Sequence, residues 1–137
     1  MSNRLIISHY EFVASPTEEL SEAKTMLFRM VKPCHFWIDG GEDFKLQGVI
    51  PEDFEFDFAS VPKCLKWAIS DAMLYGFEAA LHDHLYKIGC PKLVADGIFN
   101  EAMRQNKNIP AWQRIISTAV VAVFGWPAYN AHREAKG

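Results

Sequence analysis

The hydrophobic pattern changes period near Pro62, and this change restricts the fold more than any other feature of the sequence. Before it, residues 54–58 (FEFDF) alternate strictly between apolar and acidic, as expected of a strand with one buried face. After it, apolar residues recur at intervals of three and four, which is typical of amphipathic helices. A β-rich half followed by an α-rich half favours an α+β fold over a parallel doubly wound sheet. We therefore predict a single domain over 1–137, with strands and loops in 1–60 packed against a bundle of about four helices in 61–137.

The apolar runs and the turn residues between them predict the individual elements. The predicted strands cover 5–12, 26–31, 35–38, 44–50 and 54–58, and the predicted helices cover 65–74, 77–88, 93–105 and a last segment opened by Pro110. Residues 15–19 (SPTEE) are predicted to be a turn, or the start of a short helix that Ser15 would cap.

The last predicted helix carries an unusually apolar stripe. Its apolar residues fall at positions 112, 115, 116, 119, 120, 123 and 124, which is the spacing of one helix face. We predict that this face lies on the core, with a partner-facing or membrane-surface helix as the alternative. The apolar run is shorter than the roughly 20 residues that cross a bilayer, so no transmembrane span is predicted.

Charge and cysteine content exclude some classes of function. The formal net charge is −3, with 14 basic and 17 acidic residues, and this gives no electrostatic footprint for nucleic-acid binding. The three cysteines are widely spaced and form neither a disulfide framework nor a CxxC metal motif, which favours a reducing compartment. The first residues lack the apolar stretch of a signal peptide, and none is predicted.

A polar group on two successive helices is the main candidate for chemistry. His82 and Tyr86 lie four apart and share one helix face, and the short turn at 89–91 predicts that the next helix returns antiparallel with Asp96 beside them. A carboxylate that binds one imidazole nitrogen fixes the tautomer and leaves the other nitrogen as a general base. Tyr86 can bind the same carboxylate. Asp83 points elsewhere and is a candidate ligand for a hard cation such as calcium. The alternatives are a structural hydrogen-bonded tie between helices and a binding pocket without catalysis.

This group resembles the core of the phospholipase A2 fold, in which a helix bearing His-Asp-x-x-Tyr packs against one bearing Asp and, three residues later, an apolar anchor. The match covers about 20 residues and consists of His82, Asp83, Tyr86, Asp96 and Phe99. The resemblance implies that His82 deprotonates a water, that Asp96 and Tyr86 orient His82, and that Asp83 holds a calcium ion that stabilises the oxyanion. The glycine-rich calcium loop of those enzymes has no counterpart in residues 57–62 (DFASVP).

Three further residues are candidates of lower rank. Ser60 is placed to cap a helix begun by Pro62, and Asp57 can bind free backbone N–H groups at the same turn. A nucleophilic Ser60 lacks the G-x-S-x-G elbow, so a capped turn is the favoured interpretation. His84 lies two positions from His82 and is predicted to face solvent or a partner.

A longer set of motifs resembles a phage and prophage family catalogued as domain of unknown function 1353. It comprises IPxxF at 50–54, DFASVPK at 57–63, HDxLY at 82–86 and ADxxFxxAM at 95–103. The resemblance implies a phage or prophage origin, with the protein in the host cytoplasm or in the virion, and it implies no established activity. Two functions follow as hypotheses: a calcium-dependent esterase acting on a lipid or another ester, and a non-enzymatic protein that binds a host or phage partner through aromatic residues near its C-terminus.

Overall fold

The computed structural model describes residues 5–20, 26–42, 44–56, 76–124, 126 and 129–130. Within these residues the elements are β1 (Ile6–His9), β2 (Ala14–Leu20), β3 (Met26–Met30), β4 (Cys34–Asp39), β5 (Lys45–Ile50), β6 (Glu55–Phe56), α1 (Gly76–Lys87), α2 (Lys92–Gln105) and α3 (Ala111–Phe124). The predicted α+β class is confirmed, with strands preceding helices along the chain.

The strands form two small antiparallel sheets of three strands each. One sheet has the order β1-β4-β5 and the other has the order β2-β3-β6. Alternation in β4 turns Cys34, Phe36 and Ile38 inward, where each is at most 1% exposed. Gly48 of β5 lies opposite Phe36, and a Cβ at that position would come within 2.9 Å of the Phe36 ring. The ring therefore covers the space that the missing side chain leaves.

Helix α1 packs against this β layer, and α2 and α3 follow it in sequence order. Helix α1 contacts β5 and β6 on one side and α2 on the other, and α2 also contacts α3. The central position of α1 buries nearly its whole length, from Phe77 to Tyr86, with Asp83 partly accessible. Side chains on opposite faces of α1 therefore meet different neighbours, the β layer on one face and α2 on the other.

The described residues contain three helices rather than the predicted four. The predicted helices at 77–88, 93–105 and after Pro110 are confirmed as α1, α2 and α3. The fourth, at 65–74, falls outside the described residues. None of the helices within the described residues has the length and apolar character needed to cross a membrane.

The prediction for residues 15–19 is wrong, because this segment belongs to strand β2. Pro16 lacks the N–H that a central strand needs, but β2 lies at the edge of its sheet, where a proline is tolerated. Pairing with β3 continues through Pro16, opposite Phe28, and the register shifts before Leu20. Pairing with β3 therefore decides the structure of a segment whose local sequence favours a turn.

The predicted orientation of α3 is wrong in part. Val120 of the apolar stripe is buried, but Trp112 is 51% exposed and Val123 is 65% exposed. Gln113 and Ser117 are buried in their place. The orientation of α3 follows from two hydrogen bonds to Asn100 of α2. The Asn100 Oδ1 accepts them from Arg114 Nη1 at 2.8 Å and from Thr118 Oγ1 at 3.1 Å. These polar contacts fix the rotation of α3 about its axis and leave much of the stripe at the surface.

Candidate active site

The turn between α1 and α2 places the site. The backbone N–H of Gly89 binds the carbonyl of Tyr86 at 3.2 Å, and that of Cys90 binds the carbonyl of Leu85 at 3.0 Å. Together with the positive φ of 89° at Gly89, this is the Schellman pattern that ends a helix. The chain then reverses within a few residues, so Asp96 on the first turns of α2 returns beside α1, as the sequence predicts.

Asp96 is the centre of a buried polar cluster. Its Oδ1 lies 2.7 Å from Nε2 of His82 and accepts a hydrogen bond from the Tyr86 hydroxyl at 2.6 Å. Its Oδ2 accepts a hydrogen bond from Nζ of Lys92 at 2.6 Å. His82, Asp96 and Lys92 are each 6% exposed. We call these four residues the Asp96 cluster, and the predicted convergence of His82, Tyr86 and Asp96 is present in the structure.

Aromatic rings surround the His82 imidazole. Its centroid lies 4.3 Å from the Tyr86 ring and 4.7 Å from the ring of Phe99. Tyr86 in turn packs edge-on against Tyr129, with ring centroids 5.1 Å apart. Phe99, three residues after Asp96, therefore packs against the His82 ring. The rings restrict the His82 side chain, so that its orientation is set by packing as well as by the carboxylate.

Lys92 is the cluster member that sequence reasoning missed. Besides Asp96, its Nζ binds the backbone carbonyls of Val121 at 2.8 Å and Ala122 at 3.3 Å, near the C-terminal end of α3. Helix ends leave such carbonyls unpaired, and a cation is favoured beside them. Nζ also lies 5.0 Å from the ring centroid of Trp126. The sequence held one signal of this role, the i, i+4 spacing of Lys92 and Asp96.

The protonation states follow from burial and from these partners. Burial lowers the pKa of the His82 imidazole, and the Lys92 charge lowers it further, against the opposing effect of Asp96. Burial alone would raise the pKa of the Asp96 carboxyl, but hydrogen bonds from His82, Lys92 and Tyr86 together outweigh it and lower that pKa. Burial first, and the bond to Asp96 second, raise the pKa of the Tyr86 phenol. The cluster thus contains a carboxylate, a neutral imidazole and a neutral phenol.

The tautomer of His82 follows from the same contacts. A carboxylate is an acceptor only, so the neutral imidazole must carry its hydrogen on Nε2 and donate it to Asp96. Nδ1 then presents a lone pair, and none of the described residues forms a hydrogen bond with it. This is the arrangement in which an imidazole can accept a proton from a bound water or alcohol.

Of the remaining predicted site residues, Asp83 and His84 are described by the structure, and neither belongs to the Asp96 cluster. Asp83 is half-buried on α1, and its charge helps to raise the pKa of Tyr86. No group of three or more His, Cys, Asp or Glu side chains in the described part of the chain is placed to hold a metal ion. Asp57 and Ser60 fall outside the described residues.

The prediction that His84 faces solvent or a partner is wrong. His84 is 7% exposed and packs edge-on against Phe36 and Phe54, with ring centroids 5.9 Å and 5.7 Å away. Its Nδ1 is buried and has no hydrogen-bond partner among the described residues, and burial lowers the pKa of His84 to about 4. The physical reason is the central position of α1, whose second face is covered by the β layer.

Comparison with known proteins assigns the family. Residues 36–121 match the model of the family described as "Protein of unknown function (DUF1353)", and this range includes α1, α2 and most of α3. No curated protein and no solved structure matches the chain. The matched range holds His82, Tyr86, Lys92 and Asp96 together with the turn that joins their helices. The chain therefore belongs to the DUF1353 family.

Proposed function

We propose that this protein is a hydrolase in which His82 is the general base, acting on an ester, with a lipid ester as the first class to test. The observation that supports it is the contact between Nε2 of His82 and Oδ1 of Asp96 at 2.7 Å, with Nδ1 left without a partner among the described residues. Asp96 and Tyr86 are positioning residues, because both act through the imidazole. The proposal includes the role of an accessory protein of a phage or prophage, in the host cytoplasm or in the virion.

The proton transfers can be written with the residues in the cluster. Nδ1 of His82 takes a proton from a water, and the oxygen of that water bonds to the ester carbonyl carbon. The Asp96 carboxylate stabilises the imidazolium that forms, as it accepts the Nε2 hydrogen throughout. When the carbon–alkoxide bond breaks, the proton moves from Nδ1 to the leaving alkoxide. The products are a carboxylic acid and an alcohol, and His82 returns to its neutral state.

Lys92 tunes this base. Its positive charge neutralises Asp96 at 2.6 Å and lowers the pKa of His82. A base with a lowered pKa stays unprotonated at neutral pH but accepts a proton less readily. The proposed active site therefore contains a His–Asp pair whose carboxylate also binds the Lys92 ammonium.

We also propose that the protein binds calcium, with Asp83 as one of its ligands. Calcium takes six to eight oxygen ligands, and within the described part of the chain Asp83 belongs to no group of three or more His, Cys, Asp or Glu side chains that could hold a metal ion. Backbone carbonyls and waters would have to complete such a site. A bound calcium would supply positive charge for the developing oxyanion.

The direct test is hydrolysis by matched variants. We expect the wild type to hydrolyse mixed-chain phosphatidylcholine vesicles or a soluble p-nitrophenyl ester, and His82→Gln to lose at least about 100-fold of that rate, as general-base removal does. His35→Gln is the control, because His35 is exposed on β4. Each reaction is run with calcium and with a chelator. Equal rates from wild type and His82→Gln, or no rate from either, would contradict the proposal, and an unchanged rate in chelator would remove calcium from it.

A second candidate function is that of a non-enzymatic protein that binds a host or phage protein. The specific observation in its favour is the exposed apolar face of α3, which includes Trp112, Ile115 and Val123, together with Trp126 just beyond α3. In this interpretation the Asp96 cluster is a structural tie, since Lys92 links Asp96 to the carbonyls of α3.

The two candidates respond to different variants. Ile115→Ser combined with Val123→Ser changes the exposed face and leaves the Asp96 cluster intact. If the protein works by binding, we expect these substitutions to abolish its effect on phage yield while His82→Gln does not. If it works by hydrolysis, we expect the opposite result.

A further inference from the structure

A cavity near the β layer lies at the start of α1. It has a volume of about 440 Å³, within the ordinary range of small-ligand sites. It is lined by His9, Phe12, Phe28, Phe56, Phe77 and Glu78, with Asn106 and small residues completing the wall. A smaller cavity of about 190 Å³ shares His9, Phe77, Glu78 and Asn106 with it. Neither cavity is lined by a member of the Asp96 cluster.

Four phenylalanine rings form most of the apolar wall. Phe28 and Phe56 stack with centroids 5.8 Å apart, and Phe12 meets both Phe56 and Phe77 edge-on at 6.1 Å. The His9 ring stacks on the ring of Phe77, with centroids 3.7 Å apart. Linked rings of this kind offer flat apolar faces to an aromatic or branched ligand, and their negative π-faces attract a cation.

Glu78 places a carboxylate in this aromatic wall. Its residue is 6% exposed, and burial raises the pKa of its carboxyl. Apart from its own backbone N–H, the described residues bring it one donor, Nδ2 of Asn106, at the long distance of 3.4 Å. A buried carboxylate with so few donors is costly unless a further donor or cation reaches it.

We propose that this cavity binds a small protonated amine with an aromatic or branched apolar body, with the ammonium group donating to Glu78 and the apolar body lying against Phe12 and Phe77. An ammonium satisfies the carboxylate and is attracted by the rings, whereas a carboxylate ligand would be repelled by Glu78. A neutral apolar ligand would fill the cavity but would bring no further hydrogen-bond donor to the Glu78 carboxylate. The site is separate from the proposed hydrolytic centre and does not depend on it.

The test is a calorimetric titration of the full chain with three ligands of matched shape: 2-phenylethylamine, 2-phenylethanol and 3-phenylpropanoate. We expect the amine to bind at least about tenfold more tightly than the alcohol, and the acid not to bind, because one charged hydrogen bond in a buried site accounts for such a ratio. This comparison uses the wild type alone, so it does not depend on the folding of any variant.

Glu78→Gln then identifies the residue. We expect it to remove the preference for the amine over the alcohol without lowering the melting temperature, because it removes a buried charge and keeps the side-chain shape. Glu42→Gln is the matched control, since Glu42 is exposed. Equal binding of amine and alcohol, an unchanged preference in Glu78→Gln, or no saturable binding of the amine at millimolar concentration would overturn the proposal.

Discussion

Helix α1 carries two histidines, two residues apart, in opposite surroundings. On the face towards α2, His82 donates to a carboxylate that also binds a tyrosine and a lysine. On the face towards the β layer, His84 lies between two phenylalanines, and its buried Nδ1 has no hydrogen-bond partner in the part of the chain that the structure describes. Burial lowers the pKa of both rings, so burial does not distinguish them.

A hydrogen-bonded carboxylate makes one of these two buried histidines a candidate base. The bond to Asp96 fixes the tautomer of His82 and supplies a negative charge beside the imidazolium that would form. His84 has no such partner, and Lys87 further lowers its pKa. Asp96 therefore offsets part of the cost of protonating His82, whereas burial and Lys87 both oppose protonation of His84, about half a turn away on the same helix.

Of the variants considered, one that removes the Asp96 carboxylate should lower the free energy of unfolding most. Asp96→Asn leaves the Lys92 ammonium buried beside an amide that cannot balance its charge. We expect a loss of about 3–5 kcal/mol in the free energy of unfolding, measured by urea denaturation. Asp53→Asn, on an exposed residue, should cost less than about 0.5 kcal/mol. A loss from Asp96→Asn no larger than that of the control would show that the cluster contributes little to stability.

The next effect concerns the other face and its pH dependence. The pKa of His84 is about 4 in the folded protein and about 6.5 in an unfolded chain. As the pH falls through 6.5 the unfolded state binds a proton that the folded state does not, so stability is lost between about pH 6.5 and 4 and levels off below. This residue accounts for about 3 kcal/mol of that loss.

His84→Leu should remove that part of the pH dependence. It should also raise stability at pH 7 by about 1 kcal/mol, because the buried nitrogen without a partner is gone. Chemical denaturation at a series of pH values measures both effects. Since the pKa of His82 is lowered as well, a smaller slope of the same sign should persist in the variant. A profile identical to that of the wild type would contradict the burial of His84.

A smaller effect is expected from the tyrosine that supports the His82 face. Tyr86→Phe removes one donor to the Asp96 carboxylate and keeps the ring that packs against Tyr129. We expect a loss of about 2 kcal/mol, the usual contribution of a hydrogen bond to a charged group. Tyr10→Phe is the matched control, because Tyr10 is exposed, and it should be close to neutral. Equal effects from the two variants would show that the Tyr86 hydroxyl is not needed to hold Asp96.

The sequence predicted the features of this site that depend on local geometry. The i, i+4 spacing of His82 and Tyr86 and the short turn at Gly89 are properties of one helical hairpin, and they bring Asp96 to its place without reference to the rest of the fold. The α+β class also followed from the hydrophobic period, which is typical of strands in the first half of the chain and of helices in the second.

The features that the sequence did not predict depend on distant parts of the chain. Burial of His84 requires knowing that the β layer covers the second face of α1. The rotation of α3 depends on Asn100, which no apolar pattern in α3 itself reports. Pairing of β2 with β3 overrides the turn residues at Pro16. The spacing of Lys92 and Asp96 was visible, but the carbonyls of α3 that Lys92 binds were not.

Nitrogen-15 NMR of the two imidazoles determines whether Asp96 holds the neutral His82 ring in the tautomer that leaves Nδ1 without a hydrogen. At pH 7 we expect His82 to be neutral with its hydrogen on Nε2. When Asp96 is replaced by Asn, we expect the imidazole to stay neutral and to lose its preference for the Nε2 tautomer. His84 should stay neutral until about pH 4 in both proteins. A hydrogen on Nδ1 of His82, or an imidazolium at pH 7, would contradict the account.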